Sequence, residues 1–226
     1  MATEARRPAS GVLISFEGLD GSGKSTLLEL LADELRRIGL EVVTTREPGG
    51  TRVGEAVRSI LLSPSHTEMA PRAEALLYAA ARAQLVEEVV KPALARGAVV
   101  LTDRYLDSSI AYQGFGRELG LDDVITLSVW ATECLFPDLT LYYQVTEEER
   151  AERSGGLADR LEAEDRDFFQ RVQQGYAHMA ELHSHRERVI EAGGTVDEVY
   201  AQTRVAVDEE FGWLREAEAA GQEGHG

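Results

Sequence analysis

Apolar positions along this chain come in short β-branched runs separated by longer stretches with helical spacing. Residues 11–16 (GVLISF) form the first run, which ends at a glycine-rich turn, and residues 27–38 then repeat leucine on one helical face; together they predict strand, loop and helix. Residues 41–45 predict a second strand and 51–62 a helix. Residues 71–96 predict a long Ala/Leu-rich helix, with Pro92 placed to kink or end it and Gly97 breaking the pattern. Residues 98–102 (AVVLT) are continuously apolar, the pattern of a strand buried on both faces in the centre of a parallel sheet, and 138–145 supply another strand. Strand-helix alternation with right-handed crossovers predicts an α/β, three-layer architecture: a parallel sheet of about five strands with helices on both faces.

Composition narrows the partners. The 226 residues are 43% hydrophobic and 28% charged, which suits one globular domain with a substantial core. With 23 Lys+Arg against 40 Asp+Glu the formal charge is −17, so a sequence-independent grip on nucleic acid or an anionic membrane is excluded. Residues 147–226 carry −11 of that charge, mostly as a solvated helical surface. Only Lys24 and Lys91 are lysines, and asparagine is absent, which removes N-glycosylation and the guanine-reading Asn-Lys-x-Asp signal of a GTPase. The single Cys134 reads as a buried, inert thiol. Residues 1–10 lack the apolar core of a signal peptide and no run reaches the length of a membrane span, so the expectation is a soluble cytoplasmic protein. Within it, 1–10 and 219–226 read as disordered ends and 11–218 as a single domain with a mobile lid at about 150–162.

The chemistry-bearing signal is Gly18-Leu19-Asp20-Gly21-Ser22-Gly23-Lys24-Ser25, which matches G-x-x-x-x-G-K-[ST] between a buried strand and a helix N-terminus. Backbone N–H groups of Gly18, Asp20, Gly21, Ser22, Gly23 and the helix start through Thr26 would cradle the phosphates of ATP; Lys24 would reach the β- and γ-phosphates and Ser25 would ligate Mg²⁺. Asp103 closes a central strand at the sheet's carboxyl edge, where it either organises Mg²⁺ or caps a helix. Arginine gathers around this edge: Arg46, Arg104 and the group Arg150, Arg153 and Arg160. In an acidic protein such a gathering points to a second substrate that is also an anion, a nucleoside monophosphate rather than a nucleoside.

From about residue 11 to 207 the chain resembles the bacterial type of the thymidylate kinase family. The resemblance is carried by Phe16-Glu17-Gly18-Leu19-Asp20-Gly21-Ser22-Gly23-Lys24-Ser25-Thr26, Arg46-Glu47-Pro48-Gly49-Gly50-Thr51, Leu76-Leu77-Tyr78-Ala79-Ala80-Ala81-Arg82, Asp103-Arg104-Tyr105 with Ser108-Ser109 and Ala111-Tyr112-Gln113-Gly114, Pro137-Asp138-Leu139-Thr140, and Asp159-Arg160-Leu161-Glu162. It implies that Asp20 accepts from the deoxyribose 3′-OH and that Arg46 and Arg104 hold the acceptor phosphate, Arg104 also steadying the γ-phosphate. It implies further that Tyr78 stacks on thymine, Arg82 donates to a base carbonyl, Ser108, Ser109 and Gln113 face the pyrimidine edge, and Tyr112 crowds C2′. Pro48 would follow a cis peptide and fix the Arg46 loop. Without the resemblance, a core aromatic beside an exposed arginine is the lesser alternative for Tyr78 and Arg82.

None of Leu19, Asp20, Gly21 and Ser22 is cationic, so the lid must supply the catalytic charge; Arg153 is the first choice and Arg160 the second, while Arg150 reads as a helix-surface ion pair. His178, His183 and His185 read as solvated, and Phe168, Phe169, Val172 and Tyr176 as a core stripe. The resemblance implies a Mg²⁺-dependent homodimer that transfers the γ-phosphate of ATP to dTMP. A kinase of another pyrimidine nucleotide or of a deoxynucleoside, and a P-loop switch module that hydrolyses ATP slowly, are the rival readings.

Overall fold

The computed structural model describes residues 10–146, 149 and 160–223. Five parallel strands, β1 (Val12–Glu17), β2 (Val42–Arg46), β3 (Val99–Asp103), β4 (Leu139–Gln144) and β5 (Glu187–Glu191), form one sheet in the order β2-β3-β1-β4-β5. Strands β1 and β3 are buried along almost their whole length and β4 everywhere except its last residue, which is why their sequences carry no alternation. The register sets Phe16 beside Asp103 and Arg46 beside Asp103, so Glu17, Arg46 and Asp103 end neighbouring strands at one carboxyl edge. In open α/β sheets ligands bind outside that edge, and the reversal of strand order at β1 marks the place.

Helices α1 (Lys24–Arg37), α2 (Arg52–Leu62), α3 (Pro71–Leu85), α4 (Lys91–Ala95), α5 (Leu106–Ser109), α6 (Leu121–Thr132), α7 (Arg166–Leu182), α8 (Val196–Phe211) and α9 (Trp213–Glu223) make the connections. The helix expected over residues 71–96 is in fact three joined pieces. A π-helical stretch, Val86–Val90, links α3 to α4, and Pro92 stands in the first turn of α4. A second π-helical stretch, Ile110–Gly116, continues α5 and packs against α7. The sequence pattern does not mark strand β5, and α9 extends through residue 223 into the stretch expected to be disordered.

Cys134 corrects another expectation: it is exposed. Glu133 and Cys134 both adopt positive φ (50° and 61°) as the chain leaves α6, and this left-handed turn carries the thiol outward. Phe168, Phe169, Val172 and Tyr176 are buried as the stripe implied. Among the described residues no helix is long and apolar enough to cross a membrane, and no cluster of three metal-ligating side chains occurs.

Candidate active site

The glycine-rich loop between β1 and α1 is held close to the sheet. Gly18 has φ 136°, and a Cβ there would lie 2.5 Å from the Tyr143 carbonyl oxygen, so only glycine fits. Gly23, at φ 86°, turns the chain directly into α1. Lys24 lies across the loop, its Nζ donating to the Leu19 carbonyl at 2.8 Å and to Ser22 Oγ at 3.4 Å. Burial, reinforced by the positive charge of Arg104, pulls its ammonium down to about 8. Ser25 Oγ donates to Asp103 Oδ2 at 2.5 Å. One hydroxyl and one carboxylate together at the mouth of the loop form a hard-oxygen pair of the kind Mg²⁺ takes when phosphates and water complete its shell. Asp103 is therefore spent on Ser25 and not on a helix cap: the residue before α5 is Tyr105, which has no side-chain cap bond.

Arg104 follows directly. It is a non-glycine residue at φ 71°, a sparsely populated conformation that persists because the surroundings hold it. Its Nη1 donates to the Gly18 carbonyl at 2.8 Å and to Ser108 Oγ and Tyr176 Oη at 3.2 Å each. Its Nη2 donates to Asp20 Oδ1 at 2.7 Å and Tyr112 Oη at 3.4 Å. The guanidinium also lies over the Tyr112 ring, 5.2 Å from its centre. Burial opposes its charge, but Asp20 and the surrounding phenols outweigh that and keep it firmly protonated.

The Arg46 loop runs from β2 to α2 through a cis Glu47–Pro48 bond, as the resemblance implied. Arg46 is half exposed and its Nη2 donates to both carboxylate oxygens of Glu55 at 3.2 Å, while Gly50 N–H donates to the same carboxylate at 2.9 Å. The Gly50 N–H, ahead of Arg46, holds the Glu55 carboxyl below its ordinary range. Gly50, at φ 75°, passes so close to Thr45 Oγ1 that a Cβ would stand 2.4 Å from it.

The cleft beyond Arg104, about 470 Å³, is lined by Asp20, Glu47, Pro48, Arg58, Tyr78, Arg104, Ser108, Ser109, Tyr112 and Gln113, with Leu62 and Leu161 closing it. Arg82 corrects the picture of an exposed arginine: it is 1% exposed and sits beneath the cleft. Its Nε donates to Glu47 Oε2 at 2.7 Å and its Nη2 to Ser109 Oγ at 2.9 Å and the Tyr105 carbonyl at 3.1 Å. Its Nη1 and Glu47 Oε1 have no hydrogen-bond partner among the described residues. Burial, partly offset by Arg82, pushes Glu47 up to about 7. Gln113 Nε2 donates to Glu74 Oε1 at 2.9 Å, which leaves its carbonyl as the remaining acceptor.

Arg160 is buried in a structural pairing: Nη2 meets Glu74 Oε2 at 2.6 Å and Nε donates to the Leu61 carbonyl at 2.7 Å. Arg150 and Arg153 lie outside the described residues. A second cleft of about 960 Å³ runs along the glycine-rich loop past Gly21, Gly23, Lys24, Ser25, Thr26, Arg46 and Asp103. The two clefts share Asp20, Glu47, Arg58 and Arg104.

Several residues at this junction escaped the sequence reading: Arg58, whose Nη1 donates to the Pro48 carbonyl at 2.8 Å, Glu55, Glu74, and Glu17 beneath Arg104. Glu17 had a usable signal, since it closes an apolar strand at the sheet edge as Asp103 does. Arg58 and Glu74 had none, because helix periodicity says which face a residue occupies and not which loop packs there.

Residues 16–203 match the family model for thymidylate kinase. The chain is 50% identical over 183 residues to a thymidylate kinase of an Exiguobacterium species, covering 80% of this chain and 85% of the relative. It is 48% identical over 202 residues to one of Pelotomaculum thermopropionicum, covering 88% and 94%. Its fold is similar to a crystal structure of thymidylate kinase from Ehrlichia chaffeensis, with a TM-score of 0.74, 31% identity, and coverage of 88% of this chain and 99% of that one.

Proposed function

The chain belongs to the thymidylate kinase family, and from that premise we propose that its two joined clefts bind ATP and dTMP and transfer the γ-phosphate in line to give ADP and dTDP. The observation that carries this reading is the shared wall: a phosphate-loop cleft and a second cleft lined by Tyr78, Ser109 and Gln113 meet at Asp20 and Arg104.

The acceptor phosphate is itself the nucleophile. It needs positioning and charge neutralisation more than a base, which fits a site without a histidine. Arg104 and Arg46 hold the acceptor phosphate, Lys24 the β- and γ-phosphates, and the main-chain N–H groups from Gly18 to Thr26 the rest of the triphosphate. Asp20 turns its carboxylate toward the sugar 3′-OH, Tyr78 stacks on the base, and the free Nη1 of Arg82 supports its role as donor to a base carbonyl. Ser108, Ser109 and Gln113 line the pyrimidine edge, and Tyr112 stands beside the sugar. Ser25 and Asp103 would hold Mg²⁺, which would neutralise charge on the phosphates. ADP release followed in turn with dTMP, dUMP, CMP, UMP, thymidine and no acceptor tests the reading: it should be fastest with dTMP, whereas equal release without acceptor would leave only a slow ATPase, and preference for thymidine would overturn the acceptor assignment.

The lid charge is assigned to Arg153, with Arg160 second because Glu74 already engages it. Replacing Arg153 by alanine should lower kcat by about 10² with the KM for dTMP little changed, on the scale of one charged transition-state stabiliser; a near-normal kcat would move the role to Arg160.

We also assign a homodimer. Helices α2, α3 and α6 pack side by side and leave Val53, Ile60, Leu76, Ile125 and Trp130 exposed, Trp130 at 78%. Sedimentation equilibrium should give twice the chain mass, and Leu76→Arg should return it to one; a monomeric wild type would contradict the assignment. A cytoplasmic setting accords with the absence of a membrane-length helix among the described residues.

A further inference from the structure

Glu17 is fully buried at the end of β1, directly beneath Arg104, and no substrate-facing role falls to it. Its two carboxylate oxygens are used differently. Oε1 accepts the Tyr105 backbone N–H at 2.7 Å. That bond, with the Arg104 N–H donating to the Phe16 carbonyl at 2.9 Å, clasps both sides of the positive-φ turn at Arg104. Oε2 accepts from Ser108 Oγ at 2.5 Å and from Tyr176 Oη at 3.2 Å. These are the two hydroxyls that Arg104 Nη1 meets at 3.2 Å.

An ionised carboxylate can only accept. In that form it draws a hydroxyl proton toward Oε2, and because Ser108 Oγ and Tyr176 Oη also lie 2.9 Å apart the second hydroxyl donates either to Glu17 or to the first; in both arrangements lone pairs of both hydroxyls face the guanidinium, which can only donate. Reversing either hydroxyl would set a proton against a cation. We propose that Glu17 is a positioning residue: through the backbone of Tyr105 and the paired hydroxyls of Ser108 and Tyr176 it fixes the plane and reach of the Arg104 guanidinium, and so the affinity for the acceptor phosphate.

Burial first, then Asp107, push the Glu17 carboxyl up to about 8 against the opposing pull of Ser108, Arg104 and the Tyr105 N–H, so the ionised form that orders the two hydroxyls prevails above that pH. Lys24, Arg186 and Glu187 also face it electrostatically. A group held at this cost in a strand end calls for a partner that needs it, and the partner it reaches is Arg104.

The inference rests on Arg104 being the holder of the dTMP phosphate, and the experiment separates the two claims. Glu17→Gln keeps the shape and the acceptor for Tyr105 N–H but adds an amide donor among the hydroxyls. It should raise the KM for dTMP about tenfold, the order of one hydrogen bond to a charged group, and leave the KM for ATP within about twofold. In a double-mutant cycle Tyr176→Phe should add less than about twofold to the Glu17→Gln effect, because both act through one network. Should Glu17→Gln fail to fold, Tyr176→Phe alone removes one hydroxyl of the relay while keeping the carboxylate and every residue assigned to dTMP, and should raise the KM for dTMP by about threefold or more. An unchanged KM for dTMP in folded Glu17→Gln, equal rises for dTMP and ATP, or multiplicative effects in the cycle would overturn the inference. If Arg104→Ala also leaves the KM for dTMP unchanged, the failure belongs instead to the assignment of Arg104.

Discussion

Arg104→Ala is expected to lower kcat/KM for dTMP by about 10³, with the larger part in KM, because the side chain meets both clefts and ties their walls together. Nη1 and Nη2 serve different walls, the Gly18 carbonyl with the Ser108 and Tyr176 hydroxyls on one side and Asp20 with Tyr112 on the other. Its removal would take away the 2.7 Å ion pair to Asp20, an acid in a phosphate-binding loop, and leave that carboxylate less neutralised beside the incoming phosphate. Arg104→Lys should recover less than a tenth of the loss, since a compact ammonium cannot span both walls, though it restores the charge; about that fraction is what loss of a forked geometry leaves. Steady-state kinetics with each substrate varied separately checks this, and the KM for ATP should move by no more than about threefold if Arg104 belongs chiefly to the acceptor.

Lys24→Ala should act on the other axis, lowering kcat by about 10³ while dTMP still binds. In the structure Lys24 is 5% exposed and its ammonium is tied to the Leu19 carbonyl and Ser22 of its own loop. The cost of holding a charge there is visible in the fall of its pKa to about 8, caused first by burial. A triphosphate would add to the anionic charge of Asp20, Asp103 and Glu17, which only partly offsets burial and the nearby Arg104. Lys24→Arg should not rescue the rate, because the broad, planar guanidinium does not fit a loop whose carbonyls and hydroxyl close on a compact ammonium. Single-turnover measurements with saturating dTMP test this directly; a kcat within tenfold of wild type in Lys24→Ala would remove the lysine from the phosphoryl-transfer step.

How far the sequence leads depends on how local the determining physics is. Strands β1, β3 and β4 are buried on both faces, and their unbroken apolar runs say so. Strand β5 is an edge strand reading Glu-Arg-Val-Ile-Glu inside the most acidic part of the chain, and only its pairing with β4 distinguishes it from the helices around it. The phosphate loop is legible because its work is done by contiguous residues: glycines at positive φ, one lysine, one hydroxyl. The acceptor cleft is less so. Helical spacing put Tyr78 and Arg82 on one face, but that Arg82 lies beneath the cleft, bound to Glu47 and Ser109, follows from the packing of α3 against the Arg46 loop and α5, segments far apart in sequence. Arg160 shows the same limit, since its partner Glu74 lies 86 positions away in the sequence (160 − 74). Cys134 failed for a different reason: an apolar neighbourhood in sequence says nothing about a left-handed turn that reverses the chain's facing.

Charge also needs to be placed to be understood. The −17 total is a property of the surface, whereas the sheet edge concentrates Lys24, Arg46, Arg58 and Arg104 around two clefts. Such a distribution fits small phosphates bound at the sheet edge.

The most direct test of that account is a ³¹P NMR time course of the wild-type protein with Mg²⁺, ATP and dTMP. The joined clefts require dTDP and ADP to appear together in equal amounts, with inorganic phosphate only a minor product. ADP and inorganic phosphate rising together while dTMP stays unchanged would contradict it.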